Sequence, residues 1–254
     1  MLPKKTITHL NKLQEKKYRN EFQEFIVEGI KGVGEALKEN AEVMLIIIEG
    51  KRRDENEIAT LIKTAEHKNV PVEFCARGDI GDIKTTDTFP GVLAVIAQPE
   101  VALENITNNQ PIICLDGIKD PGNLGTIIRT ADWFGIPNIL LSEDSVDPYN
   151  PKLVRSTMGS LFRVKLCESQ HLPTTLAALT EKHGYEIIAL DMHSENIEKM
   201  RPSKKAIYLF GSESHGIRPS LESLISKRYT IQGTGRAESL NVGVSVGILL
   251  SKLS

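Results

Sequence analysis

Three glycine-containing segments carry polar side chains in patterns that could do chemistry. The first runs from Asp116 to Gly125 and leads into a stretch that contains Arg129. Its glycines would let the backbone approach a ligand closely, and the start of a following helix attracts anions. The Walker and dinucleotide glycine patterns are both missing from this segment. The segment alone therefore leaves two alternatives open, a ligand loop and a purely structural turn.

The second segment is a tight loop with an acidic side chain between two glycines, Gly211-x-Glu213-x-x-Gly216. Taken alone, this pattern is more typical of a solvated carboxylate on a turn than of a catalytic group. His215 lies in the same loop, and a general base there is the less frequent explanation of a single loop histidine. This loop, too, leaves its chemistry open.

The third segment ends in Ser239, Leu240 and Asn241 and continues into a glycine-containing helix. Gly243 and Gly247 recur four residues apart, so they share one face of that helix. Each glycine costs a helix roughly 1 kcal/mol relative to alanine. The pattern predicts that another backbone packs closely against this face, in the core or at a subunit interface.

Each of the three segments follows a predicted strand, so the strands decide where the polar side chains meet. From residue 112 onward, apolar runs alternate with helical periodicity, which predicts a parallel sheet covered by helices. The predicted strands are 112–115, 138–141, 162–166, 186–190, 206–210 and 229–231. The predicted helices are 124–134, with Asn123 as its N-cap, 151–158, 172–182 and 241–253. Ligands of such sheets bind at the carboxyl ends of strands, here after Leu115, Leu190, Phe210 and Ile231.

The first part of the chain predicts a smaller α/β domain of its own. Its predicted strands are 25–27, 43–48, 71–75 and 92–97, and its predicted helices are 29–37 and 56–68. The stretch 98–110 is polar and is expected to be a linker. The expected domains are therefore 1–104 and 105–254.

Composition and charge restrict the class of protein. The chain has 254 residues and a net charge of −2, and its apolar runs fall short of the roughly 18 residues of a membrane span. Its three cysteines are widely spaced, which predicts no disulfide framework and no zinc site and favours a cytoplasmic location. The low net charge is weak evidence against nucleic acid. However, Lys16, Lys17 and Arg19 belong to a basic N-terminal cluster that could contact phosphate, although a solvated surface is the commoner explanation.

Together and in this order, the three segments resemble the three motifs of the SpoU/TrmH RNA 2′-O-methyltransferases. The first motif pairs Asn123 with Arg129, the second is the Gly211–Gly216 pattern, and the third is Ser239–Val242. The resemblance covers about residues 111–254. More loosely, residues 1–104 resemble the substrate-binding domain of this family, which is similar to ribosomal proteins that bind bent RNA.

This resemblance implies an α/β fold with a C-terminal parallel-sheet SPOUT domain, a trefoil knot and a smaller N-terminal α/β domain. It implies methyl transfer from S-adenosylmethionine to a ribose 2′-hydroxyl of RNA by a homodimer that needs no metal and no membrane. Ribosomal RNA is favoured over transfer RNA as the substrate.

The resemblance also assigns expected roles to single residues. The catalytic candidates are Arg129, Asn123, Ser239, Asn241 and Glu213, with Asn123 orienting Arg129. The candidates for contact with the methyl donor are Leu190, Phe210, Gly211, Glu213, Ile231, Ser239 and Leu240. The candidates for contact with RNA are Arg129, Arg155, Lys16, Lys17 and Arg19.

The chain departs from the family pattern at two places that border the donor pocket in relatives. Gln232-Gly233 follows Ile231 where the family commonly has Pro-Met, and Asp191-Met192-His193 replaces a threonine-containing, glycine-ended stretch. These departures leave a non-catalytic RNA-binding protein as an alternative. A nucleotide-dependent enzyme and a small-molecule methyltransferase are further alternatives, but their glycine patterns are missing.

Overall fold

The structure, a computed structural model, describes residues 2–80 and 89–253 and divides into two compact units. The first unit comprises Met1–Glu100 and Asp147–Phe162, and the second comprises Val101–Val146 and Arg163–Ser254. A single division at residue 104 would assign Asp147–Phe162 to the second unit, whereas its contacts lie with the first. The chain therefore returns to the first unit once before it completes the second.

Helices and strands alternate along most of the chain. In the described ranges the helices are α1 (Lys4–Lys12), α2 (Lys16–Phe22), α3 (Ile30–Lys38), α4 (Asn56–His67), α5 (Leu103–Ile106), α6 (Pro121–Trp133), α7 (Pro151–Ser156), α8 (Leu172–His183) and α9 (Val242–Leu253). The strands are β1 (Glu24–Glu28), β2 (Val43–Glu49), β3 (Val72–Cys75), β4 (Val92–Ala97), β5 (Ile112–Leu115), β6 (Asn138–Leu141), β7 (Lys165–Glu168), β8 (Glu186–Asn196), β9 (Ala206–Phe210) and β10 (Lys227–Thr230).

The first unit contains a mixed sheet in the order β1-β4-β2-β3. β4 pairs antiparallel with both of its neighbours, and β2 pairs parallel with β3. The basic N-terminal stretch, which was expected only as a charged cluster, forms α1 and α2. Leu10 and Leu13 explain this difference, because they are fully buried and pack into the same core as Leu93. Burial of two leucines stabilises a helix whose other residues are mostly polar.

The second unit contains a sheet in the order β10-β8-β9-β5-β6-β7, and every described pairing in it is parallel. The predicted α/β class and parallel sheet are confirmed. Strands β4, β5, β6 and β9 begin and end at the predicted residues. They are short apolar runs that are buried along almost their whole length, which is the pattern that sequence identifies best.

β7 and β8 differ most from their predicted bounds, whereas β1, β2, β3 and β10 differ by one or two residues at an end. The strand expected over 162–166 is β7, which begins only at Lys165, because Ser160–Phe162 forms a 3-10 turn at the end of the first unit's returning segment. β8 was expected to end at Leu190 but continues to Asn196. β10 pairs with Ile188 and Ala189 of β8 and, after a register shift between Arg228 and Tyr229, with Glu195 and Asn196 at its end.

α6 and α9 pack against each other in the second unit, and this contact explains the glycine-containing face of α9. A methyl group added to Gly243 would lie 3.2 Å from the Cγ2 atom of Thr126, and one added to Gly247 would lie 3.7 Å from the Cγ2 atom of Thr130. The glycine-containing face of α9 therefore packs on threonine side chains of α6, and the atoms closest to it are side-chain atoms and not backbone.

Candidate functional site

Three polar side chains, one from each glycine-containing segment, are joined by hydrogen bonds. The amide nitrogen Nδ2 of Asn123 donates to Oε1 of Glu213 at 2.5 Å, and Nδ2 of Asn241 donates to Oδ1 of Asn123 at 2.8 Å. These residues lie 90 and 118 positions apart in the chain. Folding therefore brings together residues that the sequence places in separate motifs, and Asn123 is their common partner.

Asn123 is held by the first turn of α6. That helix begins two residues earlier than Asn123, at Pro121, and its N-cap is Asp120, whose Oδ1 accepts the backbone N–H of Asn123 at 2.8 Å. The expectation that Asn123 is the N-cap is wrong. A proline fits the first helical position because its φ angle is already helical and no N–H is needed there. Because Asp120 caps the helix, the side chain of Asn123 is available to bind Glu213 and Asn241.

Glu213 is presented by a loop that needs both of its glycines. Ser212 and Gly216 exchange two backbone hydrogen bonds of 3.0 Å, which closes the loop into a tight turn. A Cβ on Gly211 would lie 2.1 Å from the carbonyl carbon of Gly216, so no side chain fits there. Gly216 has a φ of +66°, a conformation that favours glycine. The spacing of this motif is thus explained by backbone geometry.

Asn241 performs two tasks with one side chain. Its Oδ1 accepts the backbone N–H of Gly243 at 2.9 Å and that of Val244 at 3.4 Å, which caps the start of α9. Its Nδ2 points to Asn123, as described above. The cap fixes the position of the third motif on α9, and the amide links that helix to α6.

Arg129, the principal catalytic candidate, lies on α6 with its side chain exposed. Its guanidinium makes no hydrogen bond or ion pair with any residue that the structure describes. Asn123, which is expected to orient Arg129, has no described hydrogen bond to it, and its amide binds Glu213 and Asn241. Ser239 is also exposed, in the segment between β10 and α9. Both side chains are accessible to an incoming molecule.

The candidates for contact with a methyl donor gather at one edge of the parallel sheet. Leu190 and Phe210 are register partners on β8 and β9, and Ile231 follows β10, the other neighbour of β8. Phe210 is buried, whereas Leu240 is 48% exposed although it is a large apolar side chain. Because the strands are adjacent and parallel, the segments leaving them share this edge.

The two departures from the family pattern contact neighbouring segments. Gln232 accepts a hydrogen bond of 2.7 Å through its Oε1 from Nδ2 of Asn196, at the end of β8. Asp191 pairs with Arg228 of β10 at 2.5 Å. The stretch after Leu190 was expected to be a loop, and this is wrong: it is the continuation of β8. Of this extension, Glu195 and Asn196 are the described residues that pair with β10.

An arginine-centred cluster lies at the same edge, and sequence reasoning missed it. Arg218 follows the second motif, and its guanidinium binds Asp116, Glu143 and Asp144 at 2.6 Å each. Its backbone N–H also donates to Asp116. The carboxylates follow β5 and β6, so the cluster ties the segments after three strands together. Its members are scattered polar residues in the sequence, and only the strand order makes them neighbours.

The cluster shifts the pKa values of its members. Burial alone would raise the pKa of Asp144, but hydrogen bonds from Ser142, Lys119 and Arg218 outweigh it and hold that pKa well below its usual value. The pKa of Glu143 is lowered in the same way, against burial, by backbone hydrogen bonds and by Arg218. Burial would lower the pKa of Arg218, but its carboxylate partners raise it. Glu143, Asp144 and Arg218 are therefore charged near neutral pH.

The other expected RNA contacts belong to the first unit. Arg19 is 2% exposed, and its guanidinium binds Asp147 and the carbonyl groups of Leu13 and Gln14. Its expected role in contacting RNA is therefore contradicted, because no face of the guanidinium is left for a phosphate. Lys16 and Lys17 are exposed. Arg155, on α7, lines a cavity of about 320 Å³ together with the start of α3.

Metal-binding clusters and membrane-spanning helices are both missing from the part of the chain that the structure describes. No group of three or more His, Cys, Asp or Glu side chains is arranged to hold a metal ion. None of the described helices has both the length and the apolar character needed to cross a membrane. The candidate site is thus made of amide, carboxylate, hydroxyl and guanidinium groups at the edge of a parallel sheet.

Comparison with known families matches both parts of the chain. The SpoU rRNA Methylase family matches residues 110–251, and the MRM3-like substrate binding domain matches residues 4–94. The first match contains all three motifs, and the second lies within the first unit. Together the two matches cover nearly the whole chain.

Individual relatives match over almost their full length. The 23S rRNA (guanosine(2553)-2′-O)-methyltransferase RlmP of Bacillus subtilis is 28% identical over 243 residues, 95% of this chain and 93% of that protein. A TrmH-family protein from Porphyromonas gingivalis has a similar structure, with a TM-score of 0.85 and 31% identity over 100% of this chain and 98% of that one. The AdoMet-bound rRNA methyltransferase of Sinorhizobium meliloti has a TM-score of 0.87 and 26% identity over 100% and 95%.

Proposed function

Because the chain belongs to the SpoU rRNA methylase family, we propose that it transfers a methyl group from S-adenosylmethionine to a ribose 2′-hydroxyl of ribosomal RNA. The observation that carries this proposal is the contact of Asn123 with Glu213 and Asn241, which joins all three motifs at the start of the helix that carries the exposed Arg129. Ribosomal RNA is preferred over transfer RNA because RlmP and the Sinorhizobium meliloti relative act on rRNA.

The sheet edge fits an adenosyl donor. Such a donor combines a flat apolar base with polar groups that backbone atoms can bind, and pockets for it need mostly apolar walls with a few polar groups. Leu240 is a large apolar side chain of the third motif that remains half exposed, and Phe210 and Ile231 lie at the ends of the two strands that flank β8. We assign Leu190, Phe210, Gly211, Ile231 and Leu240 to donor contact. When bound, the donor supplies a methyl group on a positively charged sulfur.

Arg129 is assigned to the RNA strand. Its guanidinium is permanently charged and suited to binding phosphate through two parallel hydrogen bonds. Because it is exposed and unpaired among the described residues, it is available to hold a phosphate beside the target ribose and to stabilise negative charge that develops on the attacking 2′-oxygen. Ser239 is available to hydrogen-bond the same ribose.

Asn123, Glu213 and Asn241 are assigned to positioning. Their hydrogen bonds fix the start of α6, the tight loop after β9 and the start of α9 relative to one another. Preorganised groups lower a reaction barrier because they need not rearrange as charge develops. These three side chains therefore hold the elements that carry Arg129 and the donor contacts.

The first unit is assigned to RNA recognition, with Lys16, Lys17 and Arg155 as contacts to phosphate. Exposed lysines neutralise phosphate charge and make binding depend on salt.

We also propose that the protein is a cytoplasmic homodimer with a trefoil knot in its second unit, as the family resemblance implies. Light scattering of the purified protein at several concentrations tests the dimer, and a monomer at all of them overturns it.

Methyl transfer to unmodified RNA tests the function directly. The purified chain is incubated with isotopically labelled S-adenosylmethionine and, separately, with unmodified ribosomal and transfer RNA, and nucleosides are identified by mass spectrometry. Label on a 2′-O-methylnucleoside from ribosomal RNA is the expected result. Label only in transfer RNA changes the substrate, and label on a base overturns the ribose reaction. No label together with no donor binding supports a non-catalytic RNA-binding protein.

A further inference from the structure

Five side chains of α1 and α2 form a surface, here called the aromatic–lysine face, that combines two rings with positive charge. It consists of His9, Lys12, Lys17, Tyr18 and Phe22. Tyr18 and Phe22 are one helical turn apart on α2, and their rings are nearly parallel, with centroids 6.1 Å apart and planes 17° apart. The imidazole ring of His9 also contacts the ring of Phe22, with the two centroids 4.9 Å apart.

The two rings are not equivalent. Phe22 packs against the apolar core of the first unit, and that contact explains its presence. Tyr18 is partly exposed and is not among the residues of the core cluster that Phe22 packs against. Its hydroxyl makes no hydrogen bond with a described residue. Core packing therefore accounts for Phe22, whereas the described ring contacts of Tyr18 are with Phe22 and the two lysines.

Lysine ammonium groups lie over both rings. Nζ of Lys12 lies 5.1 Å from the centroid of Tyr18 and 5.7 Å from that of Phe22, and Nζ of Lys17 lies 5.4 Å from that of Tyr18. Neither lysine forms an ion pair with a described carboxylate. Lys4, Lys5 and Lys16 add exposed positive charge to the same two helices. The face thus carries cations that no described acidic group neutralises.

We propose that the aromatic–lysine face binds unpaired nucleotides of RNA, with a base stacked on Tyr18 and the flanking phosphates held by Lys12 and Lys17. Aromatic rings beside lysines are the combination that binds single-stranded nucleic acid, because every base offers a face for stacking. Lysine stems are flexible, so a base can take the place over the ring while the ammonium moves to a phosphate. This inference rests on the proposed action on RNA and adds the class of RNA structure recognised.

Single-stranded RNA binding by the full chain tests the proposal. The probe is a fluorescein-labelled RNA of about twelve nucleotides, made only of adenosine and cytidine so that it cannot pair, and affinity is measured by fluorescence anisotropy. Tyr18→Ala is expected to weaken binding about 5- to 150-fold, the equivalent of about 1–3 kcal/mol for stacking one base. Tyr18→Trp, which keeps a ring, is expected to bind at least as tightly as the unchanged chain.

Phe74→Ala is the matched control. Phe74 is 37% exposed and lies under the guanidinium of Arg53, 5.2 Å from the ring centroid, on the strand at the opposite edge of the sheet from β1. It is a single ring with one cation, and its loss is expected to change affinity less than twofold. Lys12→Gln is expected to reduce the slope of log affinity against log salt by about 0.7, the value for one phosphate of a single strand.

The outcomes separate this proposal from the proposed function. If Tyr18→Ala binds the probe within twofold of the unchanged chain, or if Phe74→Ala weakens binding equally, the aromatic–lysine face is not a base-stacking site, whether or not methyl transfer occurs. If Tyr18→Ala loses binding while the unchanged chain transfers no methyl group, the base-stacking proposal is supported and the proposed methyl transfer is overturned. Thermal unfolding of each variant verifies that the altered chain is folded.

Discussion

Asn241 is the residue in which structural and functional requirements coincide. Its side-chain oxygen caps α9, and its side-chain nitrogen reaches Asn123 on another helix. Many residues can fill an N-cap, but among the preferred ones only Asn offers an acceptor for the cap and an N–H donor directed elsewhere. At the scale of the residue, the two tasks can therefore be separated by substitution.

Asn241→Asp and Asn241→Ala form the first test. Aspartate is as good an N-cap as asparagine, so we expect Asn241→Asp to keep the stability of the chain, whereas Asn241→Ala loses about 1 kcal/mol of unfolding free energy. Both remove the donor to Asn123, so both should reduce methyl transfer about tenfold or more. Urea unfolding and initial rates measure the two effects. A fully active Asn241→Asp variant would show that the link to Asn123 is unnecessary.

Arg129 is the second residue to test. We expect Arg129→Ala to lower turnover about 10²-fold or more, because a group that acts on the reacting atoms typically contributes that much. Donor affinity, measured by calorimetry, should stay within about twofold of its original value, since Arg129 is assigned to the RNA and not to the donor. Turnover within about threefold of the unchanged chain contradicts the assignment.

At the scale of elements, two sets of polar contacts join the segments after β5 and β9, and each set adds a third segment: α9, which follows β10, in one case and the segment after β6 in the other. The Asn123–Glu213–Asn241 contact joins α6, the tight loop and α9, and Arg218 joins Asp116 to the pair Glu143 and Asp144. A parallel sheet aligns the ends of its strands but does not fix the loops that leave them. These polar contacts fix the positions of the loops relative to one another.

The charge state of the Arg218 cluster makes its contribution depend on pH. The folded pKa values of Asp144 and Glu143 are lowered, so their contribution to stability is present above the unfolded values, near pH 4, and is lost as the pH falls through the folded values. Arg218→Gln should therefore destabilise the chain more at pH 7 than at pH 3. Urea midpoints at both pH values measure this. An equal loss at both would mean that Arg218 acts by packing and not by charge.

The tight loop offers a test of backbone geometry. Gly211→Ala places a methyl group 2.1 Å from the backbone of Gly216, so the loop must open and Glu213 must move away from Asn123. We expect a loss of methyl transfer and of stability. Gly34→Ala is the control, since a methyl group there meets no atom within 4 Å and a glycine within α3 is replaced by a better helix former. Thermal unfolding should show the control unchanged or stabilised, and an equally stable Gly211→Ala would contradict the proposed crowding.

At the scale of the whole molecule, the chain does not divide at one point. Asp147–Phe162 leaves the second unit, packs with the N-terminal residues of the first and then returns. Its anchor is the ion pair of Arg19 with Asp147, whose side chains are 3% and 7% exposed. Tyr149 adds a ring contact with Phe25, at 4.8 Å between centroids. The first unit is therefore completed by residues that the chain supplies later.

Breaking this anchor should destabilise the first unit. Arg19→Met leaves Asp147 buried without its partner, and such a loss typically costs about 3–5 kcal/mol of unfolding free energy. The double variant Arg19→Met with Asp147→Leu replaces the pair by apolar groups and should recover most of that loss. Urea unfolding measures both. If the single variant is as stable as the unchanged chain, the pair does not anchor the segment.

The sequence by itself determined the features of this protein that depend on residues close together in the chain. Apolar runs gave the bounds of β4, β5, β6 and β9, alternation gave the parallel sheet, and three short motifs pointed to Asn123, Glu213 and Asn241. These signals are local because strand burial and turn geometry depend on residues close in the chain. The sequence also contains the signal that locates the start of α6, because proline favours the first position of a helix. Applied to Pro121, this preference identifies Asp120 as the N-cap, whereas Asn123 was predicted.

Only the tertiary structure decided which distant residues meet. It buried Arg19 against Asp147, gathered three carboxylates around Arg218, extended β8 along β10 and packed the glycines of α9 on α6. It also turned a basic N-terminal cluster into two helices with Tyr18 and Phe22 on one face. Each of these depends on strand order and long-range burial, which no local pattern encodes, since the energy of a contact is gained only after the intervening chain has folded.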